Sequence, residues 1–238
     1  QLFTDIVRRW DLSQADQLSN NVKVPLLTMF NTSNEIGNLI SKKNGFDGTP
    51  HTAKLWVDQI NSYTKEARWF HESYKPSLEE YLENALVSIG FPNALITGHL
   101  LSIKHPTNEN LDYAYNLPSI VRTTCILGRI INDLGTSQAE MERGDTIKSI
   151  HCYMDETGAS LDAAYEHVKG LVILWWKRLN KCFLQPSSLT EPFLSFNINL
   201  VRATHFFYQY GDGYGNAESW TKEHGMSVIV HPLSPFDE

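Results

Sequence analysis

The chain has 238 residues, 42% of them apolar and 20% charged, with a formal net charge of −7, which is enough apolar sequence for one large domain with its own core. The acidic balance argues against general nucleic-acid binding, which needs a basic face, and no apolar run approaches the roughly 20 residues of a membrane-spanning helix. Cys125, Cys152 and Cys182 stand at no motif spacing, so they predict neither a disulfide framework nor a zinc site and fit a reducing compartment. Residues 1–30 lack the charged head, apolar run and cleavage site of a signal peptide.

Along the chain the periodicity is helical almost throughout. Leu2, Phe3, Ile6, Val7 and Trp10 form an apolar stripe on a helix already under way at Gln1, with no initiator Met and no N-cap. A second helix is predicted over residues 22–41, a Gly/Asn/Asp loop over 42–49, and a third helix through Leu55, Val57, Ile60, Tyr63 and Trp69. Ser77 and Glu80 make a capping box for the next helix, each meeting an otherwise unpaired backbone N–H of the first turn. Gly90 and Pro92 predict a break in that helix and a continuation to about Lys104.

Pro118 takes a favoured first-turn position for a helix over Ser119–Arg143 that stops at Gly144. The last helices cover residues 147–156, 160–182 and 188–210, and Trp175-Trp176 within them reads as core or domain-interface packing. The Gly-Asp-Gly-Tyr-Gly stretch at 211–215 reads as a flexible hinge before a short terminal segment. With no βαβ alternation, no repeat and no interior linker, the prediction is an all-α domain of about ten helices.

The chemistry concentrates in residues 129–148. Asn132, Thr136 and Glu140 stand at i, i+4 and i+8, so they drift only about 40° per step along one helix face. Amide, hydroxyl and carboxylate oxygens are hard donors that suit Mg²⁺ (or Mn²⁺), a cation that keeps several waters and often bridges to substrate phosphates. Arg129 lies one turn earlier on the same face, where its guanidinium fork matches a phosphate bidentately. Asp133 points about 100° away from Asn132 and is expected to buttress a neighbour rather than bind metal. Gly135 and Thr136 are poor helix-interior choices by propensity, so another requirement is expected to have selected them. Lys148, read alone, is a solvated lysine just past a helix end. The 211–215 stretch reads equally well as a simple surface turn. Phe206, Phe207 and Tyr208 are each as consistent with core packing as with a pocket wall. The nine histidines include no zinc spacing, and there is no Gly-rich phosphate loop.

Asn132-Asp-Leu-Gly-Thr-Ser-Gln-Ala-Glu140 resembles the second metal motif of class I terpene synthases, (N/D)-D-x-x-(S/T)-x-x-x-E. The likeness continues through Arg143-Gly-Asp-Thr-Ile-Lys-Ser-Ile-His-Cys-Tyr-Met-Asp-Glu-Thr-Gly-Ala-Ser160, which resembles the plant pattern following that motif. Tyr208-Gln-Tyr-Gly-Asp-Gly-Tyr214 is similar to the family's active-site lid, and Leu2-Phe-Thr-Asp-Ile-Val-Arg-Arg-Trp-Asp11 to the helix after its first metal motif. The resemblance spans residues 1–238 in order and implies the C-terminal part of a class I terpenoid synthase metal-binding α-domain, a partial helical bundle. It implies that Asn132, Thr136 and Glu140 hold one Mg²⁺ and that Arg129 and Lys148 contact the departing diphosphate. It also makes Asp212 and Tyr214 catalytic residues of a closing lid, and makes the break at Gly90, Phe91 and Pro92 a place where free carbonyls face the substrate. Here Ser88-Ile-Gly-Phe-Pro92 departs from the Ser/Gly-Pro spacing usual in cyclising relatives.

The family's aspartate-rich D-D-x-x-D motif is absent from these 238 residues and is expected a handful of residues upstream of Gln1, in a missing N-terminal portion of the same enzyme. The chain alone is therefore expected to keep one metal half-site and not to ionise substrate efficiently. The implied reaction is Mg²⁺-dependent ionisation of geranyl or farnesyl diphosphate to a mono- or sesquiterpene, with overall likeness closer to makers of acyclic alcohols such as linalool or nerolidol. Monoterpene enzymes of this type act commonly in plastids and sesquiterpene enzymes in the cytosol. A non-catalytic helical module that binds diphosphates or a protein is the alternative from another class. A chain-elongating prenyltransferase would want a second aspartate-rich motif where Asn132, Thr136 and Glu140 stand.

Overall fold

Helices follow one another in the order α1 (Leu2–Arg9), a 3-10 helix (Leu12–Gln17), α2 (Asn20–Asn44), α3 (Thr49–His71), α4 (Leu78–Ser88), α5 (Phe91–Ser102), α6 (Ser119–Arg143), α7 (Ser149–Thr157), α8 (Leu161–Leu184), α9 (Glu191–Tyr208) and α10 (Ser219–Ile229). The computed structural model describes residues 1–103, 115–143, 148–185, 189–215 and 219–230, and for 138, 139 and 141–143 the backbone only. Ten α-helices and no β-strand among the described residues agree with the all-α prediction. The expected limits at Lys104, Gly144, Ile147 and Ser188 lie outside the described residues.

α6 is the axis of the bundle. It packs most extensively against α9 and α8, and then against α4. Its residues Ile126, Leu127, Ile130 and Ile131 are buried in one cluster with Leu86, Leu95, Ile150, Leu179 and Val201. Leu127 and Ile130 have no exposed surface, and each such side chain contributes about 1.5–3 kcal/mol by burial. Trp175 and Trp176 pack half-buried against this core, and Trp176 Nε1 donates to His205 Nδ1 at 3.2 Å. Burial pushes the Cys152 thiol up to about 12, which leaves it inert in place.

Two local features differ from the predicted elements. The 3-10 helix has no apolar period to announce it; the Asp11 side chain starts it by accepting from Ser13 N at 2.9 Å. Only half of the expected capping box forms at α4. Ser77 Oγ accepts from Glu80 N at 3.1 Å, but the Glu80 carboxylate turns to the Tyr74 hydroxyl at 2.8 Å instead of back to the cap.

The break between α4 and α5 is where the sequence puts it. Gly90 has φ +80°, a conformation that L side chains rarely adopt, and Pro92 sits in the first turn of α5. The two helices diverge by 43°. No single described helix is long and apolar enough to cross a membrane; the bent α4–α5 pair qualifies by length and composition only, and its Leu86, Leu95 and Leu100 are core residues. The break delivers Ser88, the last residue of α4, to the polar face of α6.

Candidate metal and diphosphate site

The three oxygen-bearing residues of α6 form a connected row. Thr136 Oγ1 lies 3.0 Å from the Asn132 carbonyl oxygen and 2.7 Å from Glu140 Oε2, so its single proton serves one of them at a time. Adjacent oxygens around Mg²⁺, with bonds of 2.0–2.1 Å, stand about 2.9 Å apart, and the Thr136–Glu140 pair already has nearly that spacing. Asn132 Oδ1 accepts from Arg129 Nη1 at 3.2 Å. Among the described residues no group of three or more His, Cys, Asp or Glu side chains could hold a metal. The donor set Asn132, Thr136 and Glu140 fits a hard divalent cation.

Lys148, which the sequence alone leaves in solvent, is drawn in. Its Nζ lies 3.1 Å from Glu140 Oε2, with both side chains mostly buried. One carboxylate oxygen is thus shared by a hydroxyl and an ammonium.

Arg129 is only 8% exposed and sits in a polar cage. Nη2 donates to Ser88 Oγ at 2.9 Å, and Ser88 in turn donates to Glu66 Oε1. Glu66 Oε1 also accepts from Asn84 Nδ2 at 3.2 Å. Nη1 faces Asp133 Oδ1 at 3.5 Å. Burial works against the guanidinium charge, but Tyr81, Asp133 and Glu66 outweigh it and hold the group firmly protonated, above its ordinary pKa. Its Nε is buried with no partner. That is an unmet donor, which an anion's oxygen would satisfy.

Asp133 does buttress its surroundings. It has no exposed surface, and the Tyr81 hydroxyl stands 3.1 and 2.9 Å from its two oxygens. Its Oδ2 accepts from Ser149 N at 3.1 Å, the first backbone amide of α7. Burial first, and then the Asp133 charge, push the Tyr81 phenol well above its usual range.

The 211–215 segment is a built turn. Asp212 Oδ1 accepts from Tyr214 N at 3.1 Å and Gly215 N at 2.8 Å, and Gly213 N donates to Phe207 O at 2.9 Å. Tyr214 is 61% exposed and stacks on Phe207 with ring centroids 4.2 Å apart. Tyr208 connects this turn to α6: its ring centroid lies 5.5 Å from that of Tyr214, and its Cβ and carbonyl oxygen pack against α6 at Gly135. Phe206 faces away, toward Trp220 and His224. Gly135 explains the close approach: a Cβ there would stand 2.8 Å from Tyr208 Cβ and 3.0 Å from Tyr208 O.

Arg129, Asn132, Thr136, Glu140 and Lys148 therefore stand in one hydrogen-bonded group, with Tyr208 and the Asp212–Tyr214 turn beside it. Glu66 and Tyr81 were not singled out in the sequence, and Ser88 only as the start of the helix break; the packing of α3 on α4 and of α4 on α6 brings them into the cage. Two hollows of about 540 and 550 Å³, one between α4, α6, α7 and α8 and the other between α6, α8 and α9, are not lined by any of the five grouped residues.

Residues 1–178 match the model of the terpene synthase family, metal binding domain. The chain is 50% identical over 240 residues to (+)-alpha-terpineol synthase of Santalum album, covering 100% of the chain and 42% of that protein. It is 47% identical over 237 residues to santalene synthase of Santalum album, covering 100% and 41%. Among solved structures, limonene synthase with 2-fluorolinalyl diphosphate superposes with a TM-score of 0.92 at 34% identity, covering 98% of this chain and 43% of that one. Isoprene synthase from grey poplar, in complex with three Mg²⁺ ions and dimethylallyl-S-thiolodiphosphate, superposes with a TM-score of 0.90 at 33% identity, covering 99% and 45%. The chain spans about two fifths of the length of the relatives it matches. With its motif, its helical bundle and these likenesses in agreement, the chain belongs to the terpene synthase family, within the metal-binding domain.

Proposed function

We propose that this chain is the C-terminal part of the catalytic domain of a synthase that ionises geranyl or farnesyl diphosphate to a mono- or sesquiterpene and inorganic diphosphate. The observation that carries the reading is the grouping of Asn132, Thr136 and Glu140 with Arg129 and Lys148 around one face of α6. Asn132, Thr136 and Glu140 would hold one Mg²⁺ or Mn²⁺, which supplies positive charge to the leaving diphosphate oxygens. Arg129 offers its unpartnered Nε to the same anion, and Lys148 turns from Glu140 toward it. Preorganised charge of this kind acts where negative charge develops in the transition state, without reorganisation at the moment of bond cleavage.

Once the allylic cation forms, aromatic faces and peptide carbonyls stabilise it. Tyr208, packed against α6 at Gly135, offers one such aromatic face, and the resemblance gives the α4–α5 break the carbonyl role, although Gly90 O itself already accepts from Ala94 N at 3.3 Å. The Asp212–Tyr214 turn, tied to α6 through Tyr208, closes over the site and excludes water. An acyclic alcohol such as linalool or nerolidol is the product that overall sequence likeness suggests. The relatives are named for α-terpineol, β-bisabolene and santalene, which favours a cyclised product instead. The compartment follows the substrate: plastid for geranyl diphosphate, cytosol for farnesyl diphosphate.

The D-D-x-x-D motif is not in these 238 residues, so the test uses the chain continued upstream through such a motif. Gas chromatography–mass spectrometry after incubation with geranyl or farnesyl diphosphate and Mg²⁺ should give a discrete terpene. Its identity also decides between acyclic and cyclised products. Only unreacted substrate and its spontaneous hydrolysis products would refute turnover and favour a diphosphate- or protein-binding module. The same assay on the 238-residue chain should give little or no product.

A further inference from the structure

We propose that Asp133 is a positioning residue that sets Lys148 and Arg129 in register on the diphosphate side of the site, reaching Lys148 through the first backbone amide of α7. This rests on the terpene synthase reading above. Asp133 cannot touch substrate, because it has no exposed surface. Its carboxylate faces Arg129 Nη1 at 3.5 Å on one oxygen and accepts Ser149 N at 3.1 Å on the other, while Tyr81 bridges both. Four N–H groups at a helix start have no partner within the helix, and Lys148, the N-cap of α7, makes no side-chain cap of its own. A carboxylate from α6 fills that role, favoured further by the positive end of the α7 dipole.

The link constrains Lys148 directly. Ser149 is its chain neighbour, so an anchor at Ser149 N fixes the Lys148 backbone within one residue. From there its ammonium meets Glu140 Oε2 at 3.1 Å. Asp133 and Glu140 are two turns apart on α6, about 10 Å along the axis. One helix therefore carries the anchor of Lys148 and the carboxylate it reaches, and the same anchor faces Arg129. Both diphosphate-side cations are referred to a single buried group.

Ser149→Pro breaks the link. Proline is favoured at a first helical position, where its missing N–H is not needed by the helix. Lys148, at φ −135° and ψ 163°, already has the extended backbone that precedes proline. The Ser149 hydroxyl has no hydrogen-bond partner to lose. The substitution removes the donor to Asp133, and the ring's Cδ, standing where the amide hydrogen pointed, also pushes Asp133 Oδ2 away from its 3.1 Å position, so the link is broken from both sides.

In the full-length protein, calorimetric titration with inorganic diphosphate at saturating Mg²⁺ should show about tenfold weaker binding for Ser149→Pro, the size of one charged hydrogen bond. Lys148→Met should lose a similar factor, and the double variant no more than Lys148→Met alone. A purely structural role predicts wild-type affinity for Ser149→Pro, or losses that multiply in the double variant; either result overturns the proposal. If Ser149→Pro does not fold, Asp133→Asn enters the same cycle, with a larger loss because Arg129 is released too. A crystal structure of the variant keeps this test separate from the functional reading. If wild-type protein neither binds diphosphate nor turns over substrate, that reading falls. The positioning claim then stands only if Lys148 Nζ has left Glu140 Oε2 in the variant, and an intact pair overturns it.

Discussion

The Lys148 ammonium and the Thr136 hydroxyl meet on the same oxygen of Glu140, at 3.1 and 2.7 Å. The candidate metal ligand is therefore neutralised from within the chain. Lys148 competes with a divalent cation for Glu140, since two cations on one carboxylate repel each other at contact distance. Replacing Lys148 with Met should tighten Mn²⁺ binding to this chain by about three- to tenfold. Electron paramagnetic resonance of free Mn²⁺ during titration measures it. Weaker Mn²⁺ binding in the variant would contradict the competition.

Arg129 is as much a structural residue as a diphosphate contact. Its partners Asp133, Ser88 and Asn132 come from two helices. Removing one member of a buried ion pair costs roughly 3–5 kcal/mol. Arg129→Met should therefore lower the urea midpoint sharply, and its loss of activity should be normalised to the folded fraction. An unchanged midpoint would mean the cage is dispensable.

Gly135→Ala tests the approach of α9 to α6. The added methyl would meet Tyr208 Cβ at 2.8 Å and its carbonyl oxygen at 3.0 Å, and neither atom is the flexible end of a side chain. Overpacking of this kind costs about 1–3 kcal/mol. Urea denaturation should show that loss, together with weaker Mg²⁺-dependent activity in the full-length protein, because Tyr208 packs on Tyr214 of the turn beside the metal ligands.

Much of this arrangement was legible in the residues. The helical period, the break at Gly90 and the i, i+4, i+8 row of Asn132, Thr136 and Glu140 are local properties, and local properties survive in one sequence. Gly135 announced itself as a poor helix former in a helical pattern, and close contact with Tyr208 is the reason. Asp133 was separable from Asn132 by its angle on the helix alone. The partners of Arg129 were not legible, because Ser88 and Glu66 reach it from helices more than 40 residues away in sequence. Lys148 looked solvated although Glu140 is near in sequence, because their partnership depends on how α7 docks against α6, where Asp133 holds its first amide. The half-formed capping box failed because Tyr74 and Lys65, outside the motif, draw the Glu80 carboxylate away.

Burial holds the His99 imidazole below its usual 6.5. It packs against Phe193, and its Nδ1 has no partner. The unfolded chain therefore binds that proton more readily than the folded one, and stability rises with pH across the window between the two values. The His99 contribution is fully present above about pH 6.5 and is lost as pH falls through the folded value. His51 and His205, also shifted down by burial, act in the same direction. Thermal melts should give a lower Tm at pH 5.5 than at pH 7.5, and His99→Leu should reduce that difference. An equal difference in the variant would assign the pH dependence to other groups.

The central claim is that Glu140, with Asn132 and Thr136, holds the metal that turnover requires. Its most direct test is Mg²⁺-dependent diphosphate release by the full-length protein carrying Glu140→Gln, which keeps the side chain's shape and removes its charge. The rate should fall at least about 100-fold at moderate Mg²⁺ after normalisation to the folded fraction, because Lys148 loses its ion-pair partner at the same time. Release at the wild-type rate, with unchanged Mg²⁺ dependence, would contradict it.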